Sequence, residues 1–293
     1  MASGRSAAWQ RTCLGCKWSW VQIPPSRPSR FRHFHIQENL AIFDILVTND
    51  DGIDAPGIRA LAEKLREVGE VTVVAPAREM SAVSHALTIH EPLRFEPVEH
   101  RMFKVEGTPA DCVNLAVMKL LPKPPDIVVS GINRGANVGD DLAYSGTVAG
   151  AREAAMLGVP SMAVSLASKD GSADYSHAAA FAAQILPVLA GKKDWSRRMF
   201  LNVNVPDSKV KGVRITSQGR RPSWTKVAEK VDPASRIYYW VKQGFTKVEK
   251  EALSDISALR DSYISVTPLQ FDFTAYSALE ELQSWDLRFN GSR

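Results

Sequence analysis

Asp50 and Asp51 are adjacent carboxylates that follow the short apolar run Asp44-Ile45-Leu46-Val47-Thr48-Asn49 and precede Gly52. An apolar run of this length reads as a buried strand of a parallel sheet, and open α/β folds place their ligands at the carboxyl ends of such strands. Two neighbouring carboxylates in a cleft repel each other, so they share a cation or keep a proton. The pair therefore points to a metal. An Asn-Asp-Gly turn is the alternative reading of the same residues.

Other stretches carry groups that suit the same chemistry. Arg78-Glu79-Met80-Ser81-Ala82-Val83-Ser84-His85 is polar, has no helical period and is longer than a simple connection requires. The stretch from Gly131 to Asp141 holds Asn133, Asn137, Asp140 and Asp141 among its glycines. Hydroxyl, amide and carboxylate oxygens are hard ligands, suited to Mg²⁺ or Mn²⁺ and poor at holding zinc or copper. Tyr144-Ser145-Gly146-Thr147 then opens a predicted helix, and a helix N-terminus with these residues can receive a phosphate. Each stretch alone also fits a plain turn or cap; their common position after predicted strands makes them candidates together.

Alternating strands and helices must hold those loops. Asp54 is a candidate N-cap and Pro56 suits a first helical turn, while Ile58, Leu61, Ala62 and Leu65 recur at the spacing of one buried helix face. Buried strands are expected at 71–75, 126–130, 161–165 and 200–205, and an alternating hairpin at 88–105. Thr108-Pro109-Ala110-Asp111 reads as a capping box that opens a helix through Leu120, with further helices at 147–157 and 177–189. This order predicts a Rossmann-like, mostly parallel sheet with helices on both faces. After residue 206 the chain turns polar and aromatic, as in Arg236-Ile237-Tyr238-Tyr239-Trp240, so a smaller and more irregular C-terminal part is expected.

With 293 residues, 45% hydrophobic and 23% charged, the chain has the composition of a globular protein. No apolar run is long enough to span a membrane. Cys13, Cys16 and Cys112 are odd in number and scattered, which favours a reducing, cytoplasmic compartment over a disulfide framework. The net charge of +4 misleads, because residues 1–37 hold six basic residues and no acid, leaving 30 basic against 32 acidic residues elsewhere. The body lacks the cationic excess a polynucleotide partner requires. Residues 1–42 are expected to be a disordered or mis-started leader, in which a lone Cys13-Leu14-Gly15-Cys16 is weak support for zinc.

Thr48-Asn49-Asp50-Asp51-Gly52, Ala55-Pro56-Gly57-Ile58, Ser81 to Ser84, Gly107-Thr108-Pro109-Ala110-Asp111, Ser130-Gly131-Ile132-Asn133, Gly139-Asp140-Asp141 and Tyr144-Ser145-Gly146-Thr147 resemble, in this order, the SurE family of metal-dependent survival-protein nucleotidases. The likeness runs from about Phe43 to Tyr276. It implies a nucleoside monophosphate phosphohydrolase, acting on 5′- and often 3′-nucleotides with one divalent cation per subunit. Carried over to this sequence, the metal ligands are Asp50, Asp51, Ser81 and Asn133, with Asp50 and Asp51 also catalytic. Asn49, Asn137, Ser145, Gly146 and Thr147 are placed to hold phosphate oxygens. The resemblance also implies a homodimer or homotetramer, with 43–206 as the catalytic core and 207–293 as an oligomerisation part. A non-catalytic nucleotide-binding module is the competing function. A dinucleotide-dependent oxidoreductase is disfavoured, since no G-x-G-x-x-G follows the first strand.

Overall fold

β1 (Phe43–Thr48) is an interior strand of the sheet and shows why the fold closes around it. Successive strand residues face opposite sides. Ile45 and Val47 pack into one core layer and Leu46 into another, so both faces of the strand must be covered. The computed structural model describes residues 43–168, 173–191, 199–220, 223–245, 253–285 and 287. The expected leader, with Cys13 and Cys16, lies outside them.

The elements after β1 are α1 (Pro56–Leu65), β2 (Gly69–Pro76), β3 (Phe95–Glu99), β4 (Met102–Val105), α2 (Pro109–Leu115), β5 (Ile127–Arg134), α3 (Gly146–Met156), β6 (Ser161–Ala167), α4 (Ser176–Ala190) and β7 (Met199–Pro206). β8 (Val213–Ile215), β9 (Ser223–Val231), β10 (Ile237–Phe245), α5 (Asp255–Arg260), β11 (Ile264–Gln270) and α6 (Tyr276–Gln283) complete them. Nine of the described strands form one sheet in the order β3-β4-β2-β1-β5-β6-β7-β11-β8. Pairing from β4 through β7 is parallel, while β3–β4 and β7–β11 are antiparallel. The α/β sheet expected from the alternation is therefore present, and its edges carry the antiparallel strands.

α1 and α4 cover one face. Ile58, Leu61, Leu65 and Leu186 are fully buried there, and truncating one such leucine to alanine costs about 2–5 kcal/mol. α2 covers part of the other face with Cys112 and Val113, and α3 lies beside it over β6 and β7 with Val148, Ala151 and Ala155. α3 seats closely because of Gly150, where a Cβ would stand 2.9 Å from Ser130 Oγ and 3.0 Å from Thr48 Cγ2.

Several local expectations shift. Ala55, not Asp54, is the N-cap of α1, with no side-chain cap; Asp54 is exposed and pairs with Arg59 at 3.4 Å. The hairpin begins only at Phe95, because residues 88–94 form a loop that docks on α2. The capping box is present: Asp111 N donates to Thr108 Oγ1 at 3.2 Å, and Thr108 N to Asp111 Oδ2 at 2.9 Å. The expected helix then changes to a π turn over Ala116–Leu120. The sheet also crosses the boundary expected at residue 206, since β11 pairs with β7 and β8 with β11. Among the described strands only β9 and β10 stand apart, as a two-stranded hairpin. Among the described residues no helix is long and apolar enough to cross a membrane.

Candidate active site

Asp50 stands just past the end of β1 and is 4% exposed. The Thr147 hydroxyl donates to its Oδ1, and the Thr147 backbone N–H also bonds it. Burial pushes the Asp50 carboxyl up to about 6, opposed by the Thr147 hydrogen bond and reinforced by the Asp51 charge. The N-terminus of α3 thus meets a carboxylate that lacks a full counter-charge. Gly146 makes that approach possible: a Cβ there would lie 2.7 Å from Asp50 Cβ and 2.9 Å from Oδ2.

Asp51 is half-buried, and its Oδ2 accepts from Arg134 N at 3.2 Å, which ties it to the residue after Asn133. Burial raises its carboxyl too; the Arg134 bond opposes this and the Glu79 charge adds to it. Asn133 Nδ2 donates to Gly135 O at 2.8 Å, fixing the amide by its nitrogen end. Ser81 is exposed and donates to Glu79 Oε1 at 2.7 Å; its loop is anchored at Met80, whose N–H bonds Asp50 O at 2.7 Å. The loops after β1, β2 and β5 therefore adjoin at Asp50 and Asp51. Among the described residues no group of three or more His, Cys, Asp or Glu could hold a metal. The two acids alone would leave a cation's shell open, and a serine hydroxyl and an amide are the hard-oxygen groups on the adjoining loops. Two under-compensated acids flanked by a serine hydroxyl and an amide oxygen suit a hard divalent ion.

The residues expected to hold phosphate have definite structural partners. Ser145 is the N-cap of α3, and its Oγ accepts from Val148 N at 3.1 Å, which leaves the hydroxyl hydrogen to donate. Thr147 engages Asp50. Asn49 is fully buried, its Nδ2 donating to Gly52 O at 2.9 Å while its Oδ1 has no partner. Asn137 is held by β6 and β7: its N–H donates to Asn204 Oδ1 at 2.8 Å and its Nδ2 to Ser165 Oγ at 2.9 Å. Its carbonyl accepts from Asn202 and Asn204, each at 2.9 Å.

Residues 45–225 match the family described as Survival protein SurE. The 5′-nucleotidase SurE of Geobacter sulfurreducens is 53% identical over 247 residues, covering 83% of this chain and 94% of that protein. The chain belongs to the SurE family. A second relative of the same description, from Geotalea uraniireducens, is 49% identical over 249 residues, covering 83% of this chain and 99% of its own. The crystal structure of the SurE protein from Aquifex aeolicus superimposes with a TM-score of 0.72 at 38% identity, over 82% of this chain and 98% of that one.

Several residues that shape this SurE-family site carry no signal in the sequence reading. Glu79 adds a third carboxylate beside Asp51, and only its place in the Arg78–His85 loop hints at it. Asp255 is fully buried at the start of α5, where its Oδ2 accepts from Gly139 N at 3.0 Å and its Oδ1 from Gly219 N at 2.9 Å. Gln218 Nε2 also donates to Gly139 O at 2.9 Å. The loop between Asn133 and Ser145 is thus clamped by β7 on one side and by the C-terminal part on the other.

Proposed function

We propose that this chain is a nucleoside monophosphate phosphohydrolase, acting as a 5′-nucleotidase and also on 3′-nucleotides, with Mg²⁺ or Mn²⁺ held by Asp50, Asp51, Ser81 and Asn133. The observation that carries this reading is Asp50 and Asp51 at the end of β1, one sealed under the N-terminus of α3 and the other tied to the strand of Asn133. Relatives at about half identity, named as 5′-nucleotidases, supply the substrate class.

A divalent cation in this position would polarise a phosphoryl oxygen and offset charge as the P–O bond breaks. Thr147 fixes the rotamer of Asp50, and the Arg134 N–H orients Asp51. The Ser145 hydroxyl hydrogen and the Gly146 N–H, at the N-terminus of α3, would bind the remaining phosphate oxygens, in the place expected of a helix N-terminus. Asn49 and Asn137 contribute by shaping the Gly52 turn and the loop before α3. Overall, water is added across the phosphoester P–O bond, giving a nucleoside and inorganic phosphate.

The oligomerisation part is proposed to pair subunits into a homodimer or homotetramer. An isolated two-stranded hairpin is marginal by itself, and β10 exposes Tyr238, Tyr239 and Trp240 together.

The deciding experiment is phosphate release from a nucleoside monophosphate with and without EDTA. Activity should vanish on chelation and return with Mg²⁺ or Mn²⁺; full activity in excess EDTA would refute the metal-dependent reading, and binding without turnover would favour the non-catalytic module.

A further inference from the structure

Glu153 lies two turns into α3 and is 6% exposed. A carboxylate so buried needs partners, and two come from other elements. His85 Nε2 meets its Oε2 at 2.5 Å, and Asn114 Nδ2, on α2, donates to its Oε1 at 2.7 Å. Burial pushes the Glu153 carboxyl up, but the hydrogen bonds from His85 and Asn114 more than reverse this, so it stays ionised and the His85 nitrogen is the donor.

His85 closes the loop that carries Ser81. The same loop is fastened to the start of α3, because Ser84 N donates to Tyr144 O at 2.9 Å and Ser84 Oγ to Ala143 O at 2.7 Å. Ala82 and Ser84 both have φ of 58°, a left-handed conformation that non-glycine residues keep only where surrounding contacts impose it. α3 thus touches both sides of the proposed metal set: its N-terminus grips Asp50 through Thr147, and its middle grips the Ser81 loop through Glu153.

We infer that His85 and Glu153 are a positioning pair, which fixes the Ser81 loop on α3 so that the Ser81 oxygen is held at the distance from Asp50 and Asp51 that one divalent cation requires. Neither side chain touches substrate or metal. This rests on the metal set given under Proposed function. Partners of this kind orient ligands, and removing one typically weakens metal binding by about 10–100-fold.

The test is Mn²⁺ binding to the full chain by titration calorimetry, with melting temperature recorded with and without Mn²⁺, for His85→Ala, His85→Gln, Glu153→Gln and Asp51→Asn. His85→Ala, a change on a loop, should weaken Mn²⁺ about tenfold and shrink the rise in melting temperature that Mn²⁺ produces. His85→Gln, which keeps a donor, should recover most of that affinity. Glu153→Gln should behave like His85→Ala wherever it folds. His85→Ala with the parent Mn²⁺ affinity, even if the metal-free protein melts earlier, would overturn the inference and leave a purely structural contact. An affinity loss that His85→Gln does not restore would overturn it as well. Asp51→Asn with unchanged affinity would instead overturn the metal set itself, and the inference with it.

Discussion

The two sides, or walls, of the candidate site are built in opposite ways. On the α3 wall, Asp50, Ser145 and Thr147 are each less than a tenth exposed, and their polar groups are engaged by one another and by the helix terminus. On the facing wall, Arg78, Glu79, Ser81 and Ala82 are exposed, and their loop keeps its shape through contacts made several residues away. The buried wall is fixed by packing at the point of use, so small changes there act directly on the carboxylate. The exposed side is fixed by remote anchors, so a residue there that is proposed to ligate nothing, such as Ala82, tolerates change while the anchors do not.

The largest effect should come from the acids shared by both walls. Asp51→Asn should lower metal-supported hydrolysis by on the order of 10³-fold, since a bound cation supplies several kcal/mol to the transition state. Steady-state rates across a Mn²⁺ series check this, and a rate close to the parent's would remove Asp51 from the site.

Ser145→Ala separates capping from phosphate binding on the buried wall. Loss of a donor to the transferred phosphoryl group should cut turnover by about 10²-fold with unchanged Mn²⁺ affinity. A variant that melts earlier, by the ~1 kcal/mol of a lost cap, yet turns over normally would confine Ser145 to its cap. Gly146→Ala probes the tightness of the same wall. Its Cβ would press on Asp50, so stability should fall by about 1–3 kcal/mol and Mn²⁺ binding should weaken; calorimetry and thermal melting report both.

The smallest effect belongs to the exposed wall. Ala82→Gly relieves a left-handed alanine that costs about 1–2 kcal/mol, but also loosens the unfolded chain by about 0.4–1 kcal/mol. The melting temperature should therefore change little and upward. A marked fall would mean that the loop depends on Ala82 itself and not on its anchors.

The sequence by itself determined the α/β order, because two-faced burial leaves Val71-Thr72-Val73-Val74 and Ile127-Val128-Val129 as apolar runs, and helices such as α1 show their 3.6-residue period. It also placed Asp50 and Asp51 at the end of β1 and located the Thr108 capping box and the start of α3, since strand ends, turns and caps are written in adjacent residues. Tertiary structure alone decided what crosses long stretches of chain. Glu153 reads as an ordinary helix residue until His85, 68 positions away, and Asn114, 39 away, come to it. Asp255 reads as a helix-start acid until Gly139 donates to it over 116 residues. β11 joins β7 although the composition changes after residue 206, because strand pairing needs only a neighbour's free N–H and C=O groups, which no local pattern records. Local propensity is encoded within a few neighbouring residues, whereas a buried charge takes its partners from whatever the fold brings within hydrogen-bond reach.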